Sequence, residues 1–340
     1  MAKERIACVV TRRNAKILNL REELEQLGYD CLICYLDSYA QTHSYWKKKL
    51  VELAGRTQWE WNHYLDHLQE EILEEILAYQ PRKVLFINLG LTEERLRHIG
   101  VWSKLIFWHV DPIRNLPEEK LVLVGGHPIF AYDVESQRFL QQRGISASYC
   151  PVGYNRAYHR PEHPIEQDID ISFVGSPYKT RLGILEPLAQ AAEEHGWNFQ
   201  VFGPFFETRY FWKRLVFRFR YPHLSRHLTN GTMTSEEVAS IYHRSKICLN
   251  LHGNGSDGVN PRTFEVLASG AMEMIDKRCD YDVLQPGRDV AVFSGIDDLV
   301  RQAEWYLAHE DERKALAEHG FERVHDVRSM KRCLQTVLSG

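Results

Sequence analysis

Arg262 and Glu265 stand one turn apart just after the glycine-rich stretch "HGNGSDGV", where the chain changes to "NPRTFEVLASGA". Asn260 suits a helix N-cap, and Pro261 suits the first helical position, where its missing N–H is not needed. A helix starting there aims unused backbone donors and the positive end of its dipole into the loop, an arrangement that attracts phosphate. A carboxylate one turn further on, Glu265, could accept hydrogen bonds from a ribose diol. A second turn of the same kind is "GSPYKTR", which follows the apolar run "ISFV". There Gly175 permits close backbone approach, and Lys179 and Arg181 bring cations to the start of the next helix. Either turn alone fits an ordinary surface loop, with Arg262 and Glu265 as an exposed pair at helical spacing. Two such turns in one half of the chain point together to a site for a diphosphate.

Positioning these residues requires strands that end at one rim. The runs "RIACVV", "KVLFINLG", "KLIFWHVD", "KLVLVGG" and "ASYCPVG" predict strands, and "NLREELEQLG", "WNHYLDHLQEEILEEILAYQ" and "YDVESQRFLQQRG" predict the helices between them. After the proline-rich, polar segment "GYNRAYHRPEHPIEQD" a second series follows, with strands at "DIDISFVGS", "NFQVFGP", "KICLNLHG", "AMEMID" and "DVAVF". Alternation of this kind builds parallel α/β sheets, here two Rossmann-like halves. In such sheets ligands lie beyond the carboxyl ends of the strands, where both glycine turns fall.

The whole chain sets outer limits. Its 340 residues suit two domains, and 44% hydrophobic with 26% charged residues is the composition of a folded globular protein. No apolar stretch is long enough to span a membrane, and "MAKERIACVV" lacks the apolar core of a signal peptide, so a cytoplasmic location is expected. A net charge of −4 supplies no global field for nucleic acid, and none is expected as a partner. The seven cysteines are scattered through apolar runs, which fits reduced thiols. "CLIC" at 31–34 has redox spacing, yet its strand-like setting favours a core role.

"FVGSPYKTRLGIL", "FQVFG", "GTMTSEEVASIYHRSKICLNLHG", "NPRTFEVLASGA" and "HDVRSMKRCLQTVL", in that order, resemble the nucleotide-sugar-binding domain of GT-B glycosyltransferases, specifically the CgeB-like (spore maturation protein) group. The first half resembles it through architecture, "FWHVDP" and "CPVGYN". The resemblance implies two Rossmann-like domains facing across a cleft: 1–152 on the acceptor side, a linker at 153–168, the donor domain at 169–322, and a helix at 323–340 returning to the first domain. It also implies sugar transfer from a nucleotide diphosphate sugar, UDP by default, with no metal and no cofactor beyond the donor itself. Carried over by position, Glu265 matches the ribose-binding Glu, Arg262 the Arg of its R-x-x-E step, and Asn250 the Asn ending the preceding strand. Asp257, followed by Gly258, stands where many retaining members carry a first Glu, with seven residues between it and Glu265. An Asp there departs from the pattern and leaves retention or inversion open; Asp257 also suits a turn in Gly-Ser-Asp-Gly.

An inverting transfer needs a base for the acceptor hydroxyl. Asp111 and His109 in "FWHVDPIRN" are the candidates, followed by His127 in "GGHP". Asp before Pro also favours a turn, and a His beside aromatics is often simply packed. The alternatives to a transferase are a non-catalytic nucleotide-sugar-binding protein and a sugar-nucleotide epimerase of the same architecture. The acceptor is not legible. One stretch stands outside the family pattern: residues 205–228, "FFETRYFWKRLVFRFRYPHLSRHL", mix six Lys or Arg residues with aromatics against the single acid Glu207. It fits either an amphipathic helix with its aromatics in the core and its cations in water, which is the expectation here, or a contact with an anionic membrane or an acidic acceptor.

Overall fold

Strands buried on both faces appear in sequence as unbroken apolar runs, and β1 (Glu4–Val10) shows the result, with Ile6 to Val10 fully buried. The computed structural model describes residues 3–10, 19–36, 57–88, 91–113, 121, 125–207, 209–252, 258–325 and 327–340, with backbone alone for 57–65. They form two units, 1–152 with 330–340, and 153–329.

In the first unit β1, β2 (Tyr29–Tyr35), β3 (Lys83–Ile87), β4 (Lys104–His109), β5 (Ile129–Ala131) and β6 (Ser148–Tyr149) form a parallel sheet of order β2-β1-β3-β4-β5-β6. Cys8 of β1 lies opposite Ile33 on one side and Leu85 on the other. The intervening helices are α1 (Leu20–Gln26), α2 (Thr57–Tyr79), α3 (Glu93–Gly100) and α4 (Val134–Gln141), and α12 (Met330–Ser339) joins them from the far end of the chain. α12 buries Met330, Cys333, Leu334, Val337 and Leu338 in the same cluster as Leu24 and Trp108. Lys83 and Lys104 donate to the carbonyls of Leu338 and Gly340, at 3.2 and 2.6 Å. The strand expected at 120–126 lies mostly outside the described residues, and the strand beside β4 is instead Ile129–Ala131. Cys31 and Cys34 point to opposite faces of β2, one into each of the unit's two core clusters, which removes a C-x-x-C pair. Both are free thiols that burial pushes up, Cys34 to about 12.

The second unit contains β7 (Ile169–Val174), α5 (Lys179–His195), β8 (Phe199–Gly203), α6 (Phe211–Arg220), α7 (Leu224–His227), β9 (Leu228–Asn230), α8 (Ser235–Arg244), β10 (Ser245–Asn250), α9 (Pro261–Ala268), β11 (Met272–Asp276), β12 (Ala291–Phe293), α10 (Ile296–Ala308) and α11 (Glu310–Val324). Its parallel sheet runs β12-β11-β10-β7-β8-β9, so the chain reverses direction across the sheet between β7 and β10. That reversal opens a crevice at the carboxyl ends of those two strands, where ligands of doubly wound sheets bind. The chain enters and leaves this unit along adjacent paths: Tyr154 N donates to Arg328 O at 2.9 Å. A Cβ on Gly153 would lie 2.4 Å from that same carbonyl oxygen, so only glycine fits there.

One helix differs from expectation. α6 forms in the basic stretch, but its aromatics do not fill the core. Phe217 alone is buried, against Phe205, Phe206 and Tyr221, while Phe211 and Phe219 are 78% and 91% exposed.

Candidate functional site

The crevice between β7 and β10 is lined first by missing side chains. Gly175 follows β7 and donates its N–H to Phe202 O at 2.9 Å, and a Cβ on Gly203 would meet Gly175 O at 2.0 Å. β7 and β8 therefore end in backbone contact. A Cβ on Gly175 would lie 2.8 Å from Phe173 Cζ and 3.2 Å from Nη1 of both Arg181 and Arg262, so both guanidiniums reach the same bare stretch of backbone. Arg181 stands in the first turn of α5 and is buried there, its Nε donating to Leu251 O at 2.9 Å and its Nη1 to Ser176 O at 3.1 Å. Burial, with Arg262 beside it, pulls the Arg181 pKa down to about 10, which still leaves it charged at neutral pH. For Arg262 burial opposes the charge, but Tyr242 and Glu265 outweigh it and hold the pKa above its ordinary value. Arg262 Nε is buried with no partner. Two like charges this close, Arg181 held by backbone carbonyls and Arg262 beside Tyr242 and Glu265, attract an anion, and a diphosphate is an anion with charge enough for both.

Beneath the cations lies a buried polar network. Asn260 takes the N-cap backbone position of α9, but the expected side-chain cap is absent. Its amide pairs instead with that of Asn250, Nδ2 to Oδ1 in each direction, at 3.0 and 3.1 Å. Asn250 also donates to Glu273 Oε1 at 2.9 Å and is wholly buried. It therefore braces the loop end and offers no surface to a ligand, a correction to its expected place among the donor-binding residues. Glu273 is buried too; burial pushes its pKa up to about 8, against hydrogen bonds from Asn250 and Thr263 that pull it down.

His252 opens the glycine loop. Its Nε2 accepts from Asn260 N at 3.1 Å, so its proton sits on Nδ1, 2.8 Å from Asp276 Oδ1. Burial lowers the His252 pKa despite that carboxylate, so the ring stays neutral. Burial would raise Asp276, but the His252 hydrogen bonds and the neighbouring Arg278 bring it down. Arg278 Nη2 completes the cluster at 2.6 Å from Asp276 Oδ2. Sequence reasoning passes over His252, Glu273, Asp276 and Arg278. The available signal is an acid inside the apolar strand "AMEMID".

Of the other expected residues, Glu265 is half-buried one turn along α9 from Arg262, with Tyr158 and Tyr242 near enough to feel its charge. Lys179 is exposed at the first position of α5, and Gly258 is half-buried beside Asp280. Asp257 lies outside the described residues, as do Gly253 to Ser256.

The strand ends of the first unit hold the candidate bases. His109 closes β4 with 2% exposure, and burial lowers its pKa to about 4. That placement corrects its expected role, since a ring inside the core meets no acceptor hydroxyl. Asp111 is exposed and accepts from Asn88 Nδ2 at 2.9 Å. Asn88 has φ 56° and its Oδ1 accepts from Val110 N at 3.0 Å, so one left-handed residue steers the carboxylate from the adjacent strand. His127 is half-buried against Phe107, and burial lowers its pKa.

Residues 181–339 match the family described as "Glycosyl transferase-like". No curated protein matches the chain in sequence. Among solved structures, a glycosyltransferase from Rickettsia africae is similar with a TM-score of 0.70 at 13% identity, covering 100% of this chain and 98% of that one. Anabaena HepE in complex with UDP gives a TM-score of 0.69 at 11% identity and 98% of each chain. Sucrose-phosphate synthase from Thermosynechococcus elongatus gives 0.65 at 12% identity, covering 98% of this chain and 97% of that one. The likeness is one of fold: two parallel-sheet, Rossmann-like α/β domains, as in GT-B glycosyltransferases.

Proposed function

We propose that this chain is a glycosyltransferase of the CgeB-like kind, moving a hexose-like unit from a nucleotide diphosphate sugar to an acceptor hydroxyl. The observation that carries the reading is the meeting of Arg181 and Arg262 over Gly175, at the point where the second sheet reverses. The family match spans both arginines, and the Anabaena protein of like fold binds UDP and UDP-glucose, which favours UDP as the nucleotide.

Transfer breaks the bond between the anomeric carbon and a diphosphate oxygen, and the electron pair stays on that oxygen. The acceptor oxygen forms the new bond and gives up its proton. Charge gathering on the leaving diphosphate is met by Arg181, Arg262 and the N-terminus of α9, with Lys179 at the crevice edge. Cations of the protein thus take the place of a metal in the proposed reaction. Glu265 holds the ribose diol. If the configuration at the anomeric carbon inverts, Asp111 takes the acceptor proton.

The test begins with thermal unfolding in the presence of UDP and UDP-sugars, since a ligand of the folded state raises the melting temperature. Absence of any shift across a panel of nucleotide diphosphates ends the reading. Incubation of a stabilising UDP-sugar with simple acceptors, in the presence of a chelator, then separates the classes. Glycoside formation or slow donor hydrolysis supports the transferase, epimer formation alone an epimerase, and binding without turnover a binding protein.

A further inference from the structure

α6 is amphipathic in the opposite sense to a packed surface helix, which turns its apolar stripe toward the core. At about 100° per residue, Phe211, Leu215, Phe219, Trp212 and Val216 fill one arc of about 140°. Phe217, the only buried side chain of the helix, lies opposite the middle of that arc. The helix is therefore pinned to its unit by one aromatic and presents its apolar face to the surroundings. Cations border the arc on both sides, Arg214 and Arg218 along one edge and Lys213 and Arg220 along the other, and α6 contains no acid. Lys213 is held by Glu207 at 2.6 Å, whereas Arg209, Arg214, Arg218 and Arg220 are exposed and form no ion pair among the described residues.

We propose that α6 is an interfacial helix that seats the second unit on an anionic phospholipid surface, its apolar arc at the headgroup boundary and its arginines on the phosphates. Ten residues span about 15 Å, which suits a helix lying in the plane of the interface and is too short to cross a bilayer. Trp and Phe supply apolar area at that depth, and arginines flanking an apolar arc reach up to headgroups while their stems stay against the acyl boundary. Charge complementarity decides between occupants. A symmetric pairing of two copies through this face would set the arginines of one against those of the other, at a repulsive cost. An anionic surface instead draws the local cations in, although the chain as a whole carries −4. The inference stands apart from the proposed transferase chemistry, since none of these residues belongs to the crevice.

The test is flotation of the full chain with vesicles of phosphatidylglycerol and phosphatidylcholine, and with phosphatidylcholine alone. Binding to the anionic vesicles only, weakening steeply as salt rises, is expected. The F211S/F219S variant and, separately, the R214Q/R218Q variant should each lose at least about tenfold in vesicle affinity. Their melting temperatures and their responses to UDP should match the parent's, because the replaced side chains are exposed. The proposal is overturned if the parent does not float with anionic vesicles or if F211S/F219S floats as well as the parent does. A concentration-dependent dimer that F211S/F219S abolishes, with no vesicle binding, would overturn it in favour of a second copy.

Discussion

The strand ends of the second unit and those of the first are built for different demands. In the second, two guanidiniums meet over a glycine, and the polar groups around them are braced: Arg181 by two carbonyls, Asn260 by Asn250, His252 by Asp276. In the first, an exposed carboxylate accepts from Asn88, and the neighbouring histidine is turned into the core. Holding like charges side by side costs energy that rigid supports must offset, whereas a carboxylate at the surface stays solvated and needs mainly a direction. The contrast fits the proposed reading, in which the second unit's rim binds the donor and, in an inverting transfer, Asp111 serves as base.

The largest effect should come from the first unit's rim. Asp111→Asn should lower transfer by about 10²–10⁴, the usual scale of general-base loss, while leaving UDP affinity unchanged. Steady-state kinetics beside a UDP titration checks both halves. A full-strength Asp111→Asn enzyme would break the contrast and favour a retaining path with no base on that side. Asn88→Ala should show the same signature at smaller size, because it leaves the carboxylate in place and removes the hydrogen bond that aims it, along with the one from Val110 N.

On the other rim, Arg181→Gln and Arg262→Gln should each weaken UDP by about 1.5–3 kcal/mol, roughly ten- to a hundredfold, the worth of hydrogen bonds to a charged group. Only Arg181→Gln should also lower the melting temperature, since it alone ties Leu251 and Ser176 to α5. Equal stability in the two variants would show that the bracing is incidental. Glu265→Ala should cost a similar 1.5–3 kcal/mol or less, and the loss should fall on nucleosides carrying both ribose hydroxyls. A 2′-deoxy analogue bound equally by parent and variant would sharpen that assignment.

How much of this was visible beforehand follows from what periodicity can encode. All five strands expected in the second half appear, because each is an apolar run, four of them running into Gly, Asn or Asp at a rim. Gly175 and Arg181 are legible for the same reason: the turn after a buried strand is where this fold exposes its ligands. β9, three residues starting at the last residue of the basic stretch, is too short to carry a pattern. The pairing of His252 with Asp276 depends on β10 and β11 being neighbours, which a separation of 24 residues conceals. His109 shows the complementary failure, since a strand end marks the rim but not which way a side chain turns there. α6 is the plainest lesson: its spacing tells which residues share a face, and nothing in the spacing tells which face meets the core.

The smallest effect tests the network under the cations. Glu273 is buried, and its pKa stands near 8 in the folded chain, well above that of an exposed glutamate. A raised folded pKa means that the native state holds the proton more tightly than the unfolded chain does. Its stabilising contribution is therefore complete below the unfolded value of about 4.3 and declines as pH rises through about 8. Glu273→Gln keeps an oxygen for Asn250 and cannot ionise, so it should escape that decline. Melting temperatures of parent and variant should nearly coincide at pH 5 and separate by a few degrees in the variant's favour by pH 8. A constant offset across that range would mean that Glu273 stays ionised, held by Arg262, and that the crevice carries one positive charge fewer than its geometry suggests. UDP binding distinguishes the cases again. With Glu273 protonated in the parent, the variant should bind UDP equally well at pH 6; with Glu273 ionised, removing its charge should tighten binding.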